Sequence, residues 1–221
     1  MNREINPQVY ARVGGVLYLT IIAIGAWGEG FVRGRLLSRD PAATAANISA
    51  AESLWRVHVA AELFLLSCAI VLLLILYVLL RPVHRDLALL AVLFNIVAIS
   101  VEAVGALGLD LAPNQSPEMT NLLIRLHAHG FGVSLLFFGW FCVIIGYLIF
   151  KSQYLPKAIG VLMQIAGACY LINSFALIAS PQAANRLFPA ILIPSFIGEL
   201  SLALWLTVKG IARPPEMIEE T

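Results

Sequence analysis

Carboxylates, imidazoles and an amide set inside long apolar runs are the residues of this sequence most able to do chemistry. His58 and Glu62 stand four residues apart, so on a helix they share one face. Glu29, Glu102, His129, Asn173 and Glu199 each interrupt a different apolar run, and Ser195 precedes Glu199 by one helical turn. Carboxylates in apolar surroundings suit a cationic or zwitterionic ligand, or a cycle in which a carboxyl gains and loses a proton. A second chemistry is open to His58, Glu62, His129 and Glu102. These are zinc-ligand types, and a carboxylate left off the metal could activate a bound water as general base. The spacing does not enforce it. His58-x-x-x-Glu62 is half of a paired-ligand motif, and His127-x-His129 puts two rings on different helix faces. There is no His-Glu-x-x-His and no Gly-x-Ser-x-Gly, and a variant of the metal reading is one haem bridged by His58 and His129, so the cofactor stays unassigned.

The elements that must hold these groups follow from composition. Of 221 residues, 60% are hydrophobic and 12% charged, and mean hydropathy is +0.89. A soluble domain carries roughly 25% charged residues, so a water-facing shell cannot be built here and a lipid-facing one can. A net charge of +1 offers no basic face for nucleic acid. Cys68, Cys142 and Cys169 all lie within apolar runs, where they read as small packing residues and not as a disulfide framework.

Backbone groups find no partner in lipid, so continuous apolar runs of about 20 residues predict helices. The expected fold is all-α: a single polytopic membrane domain over 1–221, an integral bundle of six transmembrane helices at about 13–32, 57–80, 87–109, 127–150, 158–179 and 189–208. Short punctuation at 81–86 and 151–157 forces antiparallel neighbours. Asp40-Pro41 is a good N-cap and first helical residue, and Ile48, Ala51 and Trp55 recur at helical spacing. They predict a short amphipathic helix in the first outer loop, lying on the membrane. Ser116-Pro117-Glu118 predicts a turn feeding into the fourth span.

Orientation rests on the positive-inside rule. With the N-terminus inside, Arg3, Arg12, Arg81, Arg85, Lys151, Lys157, Lys209 and Arg213 are cytoplasmic, against Arg33, Arg35, Arg39, Arg56, Arg125 and Arg186 outside. The inner charges also sit hard against the spans in short loops. Both termini are therefore expected in the cytoplasm of a cell whose inner membrane holds the chain. Trp27 and Trp55 are expected at the outer interface. Gly132, Gly139 and Gly146 recur every seven residues and mark a close-packing face of the fourth helix. His129, three residues before Gly132, is expected to face inward with them, and His127 to point elsewhere.

In that frame the ionisable groups segregate by depth, nearly all in the outer half, with Glu199 near the middle. Charge is costly at such depth, so the segregation predicts a polar cavity open to the outer face. Its candidate lining is Glu29, His58, Glu62, Glu102, His129, Asn173 and Glu199, with Asn95 continuing the stripe of Glu102 inward. The expected partners are the lipid bilayer and a small or amphiphilic solute, bound or transported. A zinc-dependent intramembrane enzyme and a ligand-free scaffold, whose polar groups only fix helix pairing, are the other readings.

Gly146-Tyr147-Leu148-Ile149-Phe150-Lys151-Ser152, Tyr154-Leu155-Pro156-Lys157 and Ile159-Gly160-Val161-Leu162 resemble a bacterial membrane family, domain of unknown function 4386. Gly167, Tyr170, Leu171 and Ser174 continue the likeness, as do Arg12, Gly15, Tyr18 and Leu19, Gly198-Glu199-Leu200, and Trp205-Leu206. The resemblance covers almost the whole chain. It implies a six-helix bacterial inner-membrane protein and brings no catalytic residues with it.

Overall fold

A computed structural model describes residues 6–187 and 189–211. Arg3 and Arg213, two of the charges used for orientation, lie outside the described residues. Six helices are long and apolar enough to cross a bilayer: Pro7–Leu36, Glu52–Leu80, Arg85–Leu111, Pro117–Lys151, Lys157–Ala179 and Ala190–Val208. They are the first to sixth spans below. Among the described residues there is no strand. The chain is an all-α membrane protein, as its composition requires.

The helices outrun the apolar cores that announce them, because polar caps set their true ends. Asn6 caps the first span, its side chain accepting from the Gln8 N–H, with Pro7 in the first turn. His84 caps the third span through Nδ1 and the Leu87 N–H. Ser116 caps the fourth, accepting from the Met119 N–H, so that this helix begins ten residues before the apolar run at 127. The turn at Ser116-Pro117 does feed straight into the span.

Packing follows chain order. Each span lies against its neighbours in sequence, and the first lies against the sixth, so the six form a ring. Small residues set the closest contacts. A methyl group added at Gly146 would lie 2.6 Å from the Gly160 carbonyl oxygen, and one at Gly167 would lie 2.6 Å from that of Gly139. The seven-residue glycine seam of the fourth span is thus a contact face, and its partner is the fifth span. The ring closes where Gly15 meets the Thr207 backbone, leaving no room there for an added methyl. Near that end the Gln8 amide donates to the Lys209 carbonyl and accepts from the Ile211 N–H, both at 2.9 Å.

The helix expected in the first long loop forms at Pro41–Ala50. Asp40 caps it, accepting from the Ala42 and Ala43 N–H groups. Its apolar stripe is used against protein. Ile48 of this helix and Trp55, which belongs to the second span, are fully buried in a small second core with Val32, Leu36, Val59 and Leu109, and the Trp55 indole donates to the Leu109 carbonyl at 2.8 Å. Trp55 therefore does not sit at an interface with lipid. A buried indole N–H needs an acceptor, and the end of the third span supplies one. This loop helix covers one end of the ring, opposite the end where residues 6–8 meet 209–211.

Candidate functional site

The ring surrounds a partly open cavity of about 390 Å³ to which all six spans contribute. Its middle is apolar and largely aliphatic and aromatic, with Leu65, Ile99, Phe131 and Phe138 among its walls. Polar groups stand at two levels.

The deeper level is built on Glu199. Gly198, beside it, brings the sixth span against the Leu162 carbonyl of the fifth, 2.8 Å from where a methyl would sit. Ser195 ties the same two helices by donating to the Ala166 carbonyl at 3.1 Å. Glu199 is nine residues from the Ala190 end of its span, about 14 Å at 1.5 Å per residue, which is halfway along that helix. Two phenols meet it there. Tyr18 of the first span donates to Oε2 at 3.0 Å, and Tyr170 of the fifth donates to Oε1. A carboxyl at membrane depth must find its partners in the protein, and Glu199 has one on each oxygen.

The second level lies toward the loop helix. Here the first span leaves regular α-geometry and runs as a π-helix from Trp27 to Arg33. Such wide turns are rare and gather at functional sites. Within it, Gly28 lies under the His58 ring, and a methyl there would come within 2.7 Å of the ring carbon Cε1. Trp27 and Trp55 both meet that ring edge-on, with centroids 6.2 and 5.7 Å away. Arg33, at the end of the π-segment, pairs with Glu29. Glu29 is exposed at the rim, whereas only 12% of the Arg33 side chain is exposed.

Around Glu62 the polar groups crowd without bonding. His58 Nε2 lies 3.6 Å from one carboxylate oxygen and His127 Nδ1 lies 3.7 Å from the other, both beyond hydrogen-bond reach. The side chains of His58, Glu62 and His127 are 4%, 7% and 1% exposed. His58 Nε2, Glu62 Oε1, both nitrogens of His127 and Arg33 Nε are buried with no partner. Each such atom costs about 1–3 kcal/mol if left bare, so five on four neighbouring side chains argue for an occupant such as water or a ligand.

Of the residues expected to line the cavity, Glu29, His58, Glu62, Glu102 and Glu199 do so, and Asn95 with them. Asn173 is buried but outside the lining. The expectation for His129 fails: it is exposed, and His127 is the buried one. The fourth span has two packed faces. Its glycine seam meets the fifth span, and a different face meets the third, where Gly105 leaves room for His127, 3.3 Å from an added methyl. Position relative to the glycines therefore said nothing about the cavity. With His129 turned away, the proposed zinc set of His58, Glu62, His129 and Glu102 does not converge. Among the described residues no three His, Cys, Asp or Glu side chains are grouped to hold a metal ion.

Two residues of the site, Tyr18 and Tyr170, stand out in the sequence only through the family likeness, whereas Arg33 is four residues from Glu29, at the spacing of the ion pair that forms. A phenol at mid-span depth was itself a signal, since its O–H requires an acceptor there.

Six spanning helices ringed about a partly open cavity define a multi-pass membrane protein in contact with the lipid bilayer. The chain belongs to the family described as Domain of unknown function (DUF4386), whose sequence model matches residues 13–210. It is 29% identical over 140 residues to an uncharacterized protein of Archaeoglobus fulgidus, an alignment covering 61% of this chain and 72% of the relative. No solved structure matches it.

Proposed function

We propose that the protein binds a small amphiphilic solute in its central cavity, as a receptor for it or a carrier of it across the bilayer. The observation that carries this reading is the cavity itself, of about 390 Å³, apolar along its walls and carboxylate-bearing at two levels. That volume falls within the range of small-molecule pockets, and the mixture of apolar wall with a few polar groups is their usual make-up. The unpartnered atoms around Glu62 support the same reading, because a helix-pairing scaffold has no reason to leave them bare. The positive-inside balance favours both termini in the cytoplasm, which directs the Glu62 level toward the outer face.

The test is to narrow the cavity without touching its polar groups. Ala69 and Ala98 line it, on the second and third spans. The double variant Ala69→Leu, Ala98→Leu is expected to fold and to lose the thermal stabilisation that amphiphilic solutes give the native protein in nanodiscs. If no solute in a chemically varied panel stabilises the native protein, the ligand-free scaffold is the better account.

A further inference from the structure

Charge in the cavity wall does not balance. Among the described residues the lining carries four carboxyl groups, Glu29, Glu62, Glu102 and Glu199, and a single cationic side chain, Arg33. Arg33 is engaged with Glu29 at the rim. Glu199 has both oxygens on tyrosine hydroxyls. That leaves Glu62 and Glu102 in the lining to share the field of Arg33, which is already paired with Glu29, with no second arginine or lysine there. Glu62 is more than nine-tenths buried, and its Oε1 has no partner.

We propose that the ligand is an organic cation with an apolar body, a protonated alkyl- or arylamine whose N–H groups bind the free oxygen of Glu62. This rests on the reading of the cavity as a solute site and names the solute's class. An ammonium group is donor-only, which matches a bare carboxylate oxygen and an imidazole nitrogen in its acceptor tautomer at His58 Nε2. Glu102, on the neighbouring third span, supplies a second counter-charge in the lining. The apolar body finds Phe131, Phe138 and Phe196, whose ring faces attract cations while ring edges and aliphatic neighbours take hydrocarbon. An anionic headgroup would meet like charge at Glu62 and Glu102, with only the free Nε of Arg33, whose terminal nitrogen already holds Glu29, to receive it.

Three probes of one chain length separate the possibilities: decylamine, decanol and decanoate, titrated against the native protein in nanodiscs, with protein-free nanodiscs measuring partition into lipid. Decylamine is expected to bind at least about tenfold tighter than decanol, and decanoate weakest. Glu62→Gln is expected to weaken decylamine by about thirtyfold or more, the usual loss when one partner of a buried charge pair is removed, while leaving decanol unchanged. Glu62→Asp, which keeps the charge, retains part of the preference for the amine. Equal binding of decylamine and decanol overturns the cation assignment and leaves the cavity reading intact. Tightest binding by decanoate overturns it in favour of Arg33 as anchor. If none of the three binds above lipid partition, the polar cluster holds water alone and both readings fall.

Discussion

Two phenols on one carboxyl make Glu199 the best-satisfied ionisable group in the core, and each contact can be removed with a single oxygen. Tyr18→Phe and Tyr170→Phe each leave a carboxyl oxygen without its donor. Each is expected to lower stability by about 1–3 kcal/mol, read as the midpoint of thermal unfolding in detergent. The double variant should cost less than the sum, because a carboxyl that has lost one donor is already free to seek another. Tyr154, in the loop after the fourth span, gives a pH test. It donates to the Leu79 carbonyl, and burial pushes its pKa up to about 12. The folded chain then holds this proton more tightly than the unfolded chain, whose phenol titrates near 10. The contribution is present below pH 10 and lost as pH rises from about 10 to about 12. Tyr154→Phe should flatten that part of the stability profile. Single residues were the least legible scale. Depth alone located Glu62, Glu102 and Glu199, because lipid excludes charge from every helix alike. Which of His127 and His129 faces inward depends on two neighbouring helices, and one helix's own periodicity does not carry that information.

Glycine positions on the helices divide cleanly into those that let backbones touch and those that do not. An added methyl at Gly146 meets backbone atoms of the fifth span, which cannot step aside, whereas Gly30 has nothing within 4 Å. Gly146→Ala is expected to cost about 1–3 kcal/mol by overpacking, and Gly30→Ala almost nothing, in the same unfolding measurement. Gly28→Ala belongs with the first group, but its collision is with the His58 ring, so its effect should appear in ligand binding as well as in stability. Elements were legible where one force dictates them. Lipid imposes six helices, Asp40-Pro41 starts the loop helix, and the glycine seam finds a partner helix. The π-helical stretch at Trp27–Arg33 was not legible. It arises from fitting Trp27, Gly28 and Arg33 around His58 of another span, and a local pattern of apolar residues has no term for that.

For the molecule as a whole, orientation in the membrane is the property to test. The positive-inside balance predicts that Ser38→Cys, in the loop before the capping helix, is labelled by an impermeant maleimide added to intact cells. Gln153→Cys, between the fourth and fifth spans, is expected to stay protected until the membrane is opened. The reverse pattern would invert the cavity and turn its rim toward the cytoplasm. The ring arrangement also bears on how the chain is made. Closure depends on the first span meeting the sixth, and Glu199 arrives with that last helix. Until translation reaches it, Tyr18 and Tyr170 have no acceptor and the wall around Glu62 has a missing stave. A nascent chain with five helices inserted is therefore expected to turn these polar side chains toward acyl chains, the state in which an insertase would shield it or a membrane protease would find it.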